Sequence, residues 1–134
     1  MDLSIKTEAF QQDDQSWLGS AHGTESTRTI TLDVSKFTAG THYPNGYIPS
    51  GTALGLITAS SKYGPYDDTQ TDGRQTLVGH LFTGVKVPAS TSTPVGAALY
   101  EHGRVRTAKL PFSSGAGAVD ANGKADVKGQ IIYV

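Results

Sequence analysis

The sequence predicts a mainly-β domain, and three observations carry that reading. Apolar and polar residues alternate over several short segments. Glycine occupies 16 of the 134 positions, enough to punctuate many turns. Only one stretch near the C-terminus carries both helix start and stop signals, so at most one short helix is expected.

The elements follow in order. Residues 1–26 show no sustained period; Leu3, Ile5, Phe10, Trp17 and Leu18 are scattered among polar residues. Lys6 stands there against Asp2, Glu8, Asp13, Asp14 and Glu25, so the stretch is acidic. A segment this poor in apolar residues has little reason to fold alone. It is read as an extended N-terminal arm preceding a β-rich domain over residues 27–134; the alternative is an ordinary first strand and loop. Thr29–Val34 places Ile30, Leu32 and Val34 on one face of a half-buried strand. Pro49 and Gly51 punctuate a tight turn, where Gly51 is expected in a backbone conformation costly for other residues. Leu54, Leu56 and Ile57 lead a second strand, and residues 58–75 read as a long polar loop. Strands resume at Leu77–Phe82 and Val85–Val87. Ala97–Glu101 and Arg104–Leu110 flank His102-Gly103 as a hairpin would. Asp120 to Val127 suits a short helix with Asp120 as N-cap and Gly129 past its end. Ile131 to Val134 forms a final strand.

Composition excludes several classes. No cysteine is present, which removes disulfides, thiolate nucleophiles and Cys-based zinc sites. Lys and Arg number 11 against 12 Asp and Glu, so nothing global favours nucleic acid or an anionic membrane. The charge is uneven, with four bases and nine acids in residues 1–73 and seven bases and three acids in 74–134. No apolar run approaches a membrane span, and the N-terminus lacks a signal peptide's basic start and apolar centre. The expectation is synthesis in a host cytoplasm from at or near Met1.

Candidate chemistry is sparse. Asp68-x-Gln70-x-Asp72-Gly73 partly matches a calcium loop, but position twelve falls on Gly79 and the bidentate Glu is missing; a solvated turn is the better reading. His22, His42, His80 and His102 lie far apart, with no pair at metal-ligand spacing. His80, inside an apolar strand, reads as a satisfied core histidine, and His102 as part of a turn. Ser113 to Gly117 is Gly-rich but lacks the Lys of a phosphate loop, and no Gly-x-Ser-x-Gly elbow occurs. No catalytic residue, metal or cofactor is therefore expected. Trp17, Tyr63 and Tyr66, aromatics in polar surroundings, are candidates for exposed partner contacts; the alternative is local packing onto the domain.

Taken together, Tyr47-Ile48-Pro49-Ser50-Gly51-Thr52-Ala53-Leu54-Gly55, the run Lys62-Tyr63-Gly64-Pro65-Tyr66-Asp67, and Asp72-Gly73-Arg74 resemble head decoration proteins of tailed phages. The ending Asp120 to Asp126 followed by Ile131-Ile132-Tyr133-Val134 fits the same branch, common in phages of actinobacteria and related to the lambda-type decoration protein. The resemblance covers roughly residues 27–134. It implies a β-clip-like compact barrel or sandwich. It also implies homotrimers on the outer surface of an expanded head, at three-fold and quasi-three-fold sites, stabilising it against packaged DNA without touching the DNA. The arm would pair with the major capsid protein, with Leu3, Ile5 and Phe10 as gripping side chains and Trp17 and Leu18 as a second anchor nearer the body. Tyr63 and Tyr66 would sit in an exposed contact loop. Two rivals stand beside this reading: a glycan-binding or adhesin-like module using the same aromatics, and a β-clip nucleotide hydrolase, for which no phosphate, base and metal motif is found.

Overall fold

The computed structural model describes residues 13–134. Among the described residues, nine strands and two short α-helices follow one another. Five strands close a barrel: β1 (Arg28–Leu32), β4 (Lys62–Pro65), β3 (Ala53–Ile57), β5 (Leu77–Leu81) and β7 (Val95–Tyr100), in that spatial order. Antiparallel pairing of β1 with β7 closes it, from Arg28 opposite Leu99 to Leu32 opposite Val95. The β1–β4 pair is parallel and short, with Leu32 opposite Tyr63. Closure leaves no exposed edge on this sheet. Ile30 and Leu32 alternate inward with Leu54, Leu81 and Leu99 to fill the interior. The mainly-β expectation thus holds, with the compact barrel as its core.

The first strand ends two residues before Val34. Asp33 accepts a hydrogen bond from the Ser35 amide and caps a 3-10 turn over Val34–Lys36. An Asp two residues before a Ser offers the backbone this local alternative to a ladder. Then come α1 (Ala39–His42) and β2 (Tyr47–Ile48), which pairs with β6 (Val85–Lys86) beside the barrel.

The segment 58–75, expected as one long polar loop, contains β4. Gly55 of β3 faces Gly64 of β4 in register, next to a bulge between Leu54 and Gly55. A Cβ at Gly55 would lie 2.6 Å from Arg74 Cα, and one at Gly64 would lie 2.8 Å from Arg74 Cδ. The paired glycines therefore form a slot that Arg74 fills. Its guanidinium Nε donates to both Asp72 carboxylate oxygens, at 3.0 and 3.2 Å, and Arg74 is buried. Removing Asp72 would leave the buried guanidinium without its ion-pair partner, which costs more than the pair adds.

The C-terminal region corrects a second expectation. No hairpin forms at His102-Gly103. Instead β8 (Gly103–Val105) turns away from β7 and pairs in parallel with β9 (Ile131–Tyr133). Between them lie a 3-10 turn over Thr107–Lys109 and α2 (Ala121–Asp126). Asp120 caps α2 by accepting from the Gly123 amide at 2.8 Å, and also accepts from the Tyr66 hydroxyl at 2.7 Å. Asp126 accepts from the Leu77 amide, tying the helix to β5. A second core lies here, between the barrel wall and the β8–β9 pair, and includes Trp17, Tyr66, Tyr100, Val127 and Ile131.

Candidate functional site

The chain enters the described structure at Asp13, and the segment that follows is fastened to the body at every few residues. Asp13 accepts from the Gly84 amide at 2.8 Å, and the Gln15 side-chain amide donates to the Phe82 carbonyl at 2.7 Å. Trp17 is fully buried. Its indole Nε1–H donates to the Ser50 hydroxyl at 3.0 Å, and that hydroxyl donates onward to the Phe82 carbonyl at 2.6 Å. Its ring meets Tyr100 edge-on, with centroids 5.2 Å apart, and lies 5.8 Å from His80. A buried indole whose N–H is satisfied contributes a large apolar area with no polar penalty. The main chain continues the attachment: the Arg106 amide donates to the Trp17 carbonyl, Leu18 bridges Val105, and the Gly19 amide donates to the Arg104 carbonyl.

This places the expected site residues in three groups. Leu3, Ile5 and Phe10 lie outside the described residues. Trp17 and Leu18, expected as a second anchor available to a partner, are a correction: Trp17 is core, and Leu18 is half-buried against β8. Both lie within the stretch from Asp13 to Gly19 that is hydrogen-bonded to the domain, N-terminal to the expected boundary at residue 26. Tyr63 and Tyr66 are also corrected. They lie on and just after β4, exposed by only 6% and 1%, so they offer no contact loop. Burial and the bond to Asp120 push the Tyr66 phenol above its ordinary range. The residues that cover them are distant in sequence: Tyr63 packs in the barrel core with Ile30, Leu32 and Phe37, and Tyr66 lies against the start of α2.

Pro49 and Gly51 form the turn beneath Trp17. Gly51 has φ +95°, and a Cβ there would lie 2.9 Å from both Trp17 Cδ1 and Pro111 Cδ. Its carbonyl accepts from His80 Nδ1 at 2.9 Å, while His80 Nε2 meets the Tyr133 hydroxyl at 2.7 Å. His80 is fully buried, and burial lowers its pKa to about 4. The Trp17 segment, the Gly51 turn, β5 and β9 therefore meet around one neutral imidazole.

On the outside, β9 is the free edge of its two-stranded sheet among the described residues. Ile132 and Val134 are the exposed large apolar residues there, at 52% and 59%. Two such side chains side by side on an edge strand form a ready contact surface. The aspartates of the 67–72 turn are engaged locally: Asp67 accepts from the Thr69 amide and hydroxyl, Asp68 from the Asn122 amide, and Asp72 from Arg74. The sequence spacing also hid a contact between two histidines, His22 and His102, whose ring nitrogens lie 2.8 Å apart.

Among comparisons with known proteins, the model of a family described as bacteriophage lambda head decoration protein D matches residues 12–131. The match begins at the anchored segment, crosses the whole barrel and ends in β9. No match to a curated protein is found. The family is one of structural capsid proteins, associated with the phage head in the virion, rather than of enzymes. With nearly its whole length matched, the chain belongs to the bacteriophage lambda head decoration protein D family.

Proposed function

We propose that this protein is a capsid cement: it binds as homotrimers on the outer surface of an expanded phage head, at three-fold and quasi-three-fold sites, and stabilises the shell against packaged DNA. The family match over residues 12–131 carries the reading. The major capsid protein is the partner, and residues 1–12 are the part of the chain that reaches it. Leu3 and Ile5 alternate with polar neighbours as an added strand would, so main-chain pairing would give affinity and alternate side chains register. The fastening of Asp13, Gln15 and Trp17 supports this division, because it gives an arm a fixed root. Three roots on one trimer would raise effective concentration and make weak single contacts strong together. The exposed edge with Ile132 and Val134 supplies apolar surface for contact between copies or with the shell. The protein carries out no catalysis and contacts no nucleic acid or membrane in this role.

A glycan-binding module loses its support, since Trp17, Tyr63 and Tyr66 are all buried. The test of the cement reading is to mix the protein with undecorated, expanded heads and image them. Trimers at local three-fold positions are expected; heads that stay bare, or monomers at other positions, would overturn it.

A further inference from the structure

We infer that His22 and His102 form a binding site for a first-row divalent metal ion of the nickel, copper and zinc class. Nε2 of His22 and Nδ1 of His102 lie 2.8 Å apart, with ring centroids separated by 4.8 Å. Two nitrogens bound cis to one ion, with bonds of roughly 2.0–2.1 Å at a right angle, stand roughly 2.9 Å apart. The observed spacing is thus close to what a shared ion requires, and small ring rotations would turn both lone pairs toward it. Both residues are exposed, and the ion would replace the direct hydrogen bond that now joins the two rings.

The backbones beneath the rings are held. The His22 carbonyl accepts from the Tyr100 hydroxyl at 3.0 Å, and that same hydroxyl accepts from the Arg104 amide at 3.1 Å. One buried tyrosine therefore fixes both loops relative to each other. The pair opens onto a groove of about 630 Å³ that also presents Glu25 and Glu101. Their carboxylates favour a cation there, although Glu101 is engaged by Arg28 at 3.2 Å. No third His, Asp or Glu among the described residues completes a ligand cluster, so water fills the other coordination positions. Octahedral or tetragonal ions with open positions suit such a two-imidazole site, and magnesium, which prefers oxygen, does not.

The site has a structural consequence. His22 belongs to the N-terminal segment and His102 to the connection between β7 and β8, so an ion bridging them would staple the segment to the body. This inference stands independently of the capsid reading. The test is thermal unfolding of the full chain with nickel(II) and, as control, magnesium, together with calorimetric titration of nickel. Nickel should raise the melting temperature by roughly 3–10 °C, with one ion per chain. Magnesium should leave it unchanged. His102→Gln and His22→Gln should each unfold like the wild type without metal and lose the nickel response. A wild type indifferent to nickel would overturn the inference. A response that survives in both variants would overturn it too, because the ion would then be bound elsewhere.

Discussion

The Tyr133 hydroxyl donates to Nε2 of His80 at 2.7 Å, inside the protein. The direction follows from the other ring nitrogen. Nδ1 lies 2.9 Å from the Gly51 carbonyl, which can only accept, so Nδ1 carries the proton and Nε2 is the acceptor. One neutral imidazole thereby joins the last strand to the turn that supports Trp17.

Acid should weaken the fold through this residue. His80 has its pKa lowered from 6.5 to about 4 by burial, so it stays neutral in the native state while the unfolded chain takes up a proton below pH 6.5. Its contribution is complete above pH 6.5 and lost progressively as pH falls to about 4. The loss is on the order of 3 kcal/mol. Urea unfolding at pH 7, 5.5 and 4 should show it, and His80→Gln should flatten the dependence in that window.

Tyr133→Phe removes the donor but keeps the ring. His80 Nε2 is then buried without a partner, at a cost of about 1–3 kcal/mol. Denaturant midpoints of the variant and wild type at neutral pH measure it.

Trp17 is the buried residue that holds the segment beginning at Asp13 onto the domain. Trp17→Ala should destabilise the domain by about 3–5 kcal/mol, as large-to-small changes in a packed core do. Trp17→Phe should cost less, although it leaves the Ser50 hydroxyl without its donor. Deleting residues 2–20 removes Trp17 and should lower the melting temperature, whereas deleting residues 2–12 should leave it close to that of the full chain.

Gly51→Val should destabilise the domain. The backbone there has φ +95°, and the new Cβ would press on Trp17 and Pro111 at 2.9 Å. A loss of roughly 1–3 kcal/mol is expected from the backbone alone. Comparison with Gly46→Val separates strain from crowding, since Gly46 also has positive φ but nothing within 4 Å of an added Cβ.

Much of the barrel was legible in local pattern. Ile30 and Leu32 alternate, Leu77–Leu81 reads as a strand, and Asp120 signals the start of α2 by side-chain chemistry that acts within three residues. What escaped depends on partners far along the chain. β4 looks like loop because its glycine and proline suit a strand only once Arg74 and β3 lie against it. β8 looked like half of a hairpin because nothing local reveals that its partner is β9, in parallel. Trp17 stands in a sequence segment with no core of its own, because its packing partners are Ser50, His80 and Tyr100. His22 and His102, 80 positions apart, show no ligand spacing for the same reason.

The most direct test of the account is decoration of undecorated, expanded heads by the full chain and by the chain lacking residues 2–12, read as density in an image reconstruction. The account predicts trimers of the full chain at local three-fold sites, and a folded truncated protein that leaves those sites empty. Full occupancy by the truncated protein would contradict the arm as the binding device, and bare heads with the full chain would contradict the cement function itself.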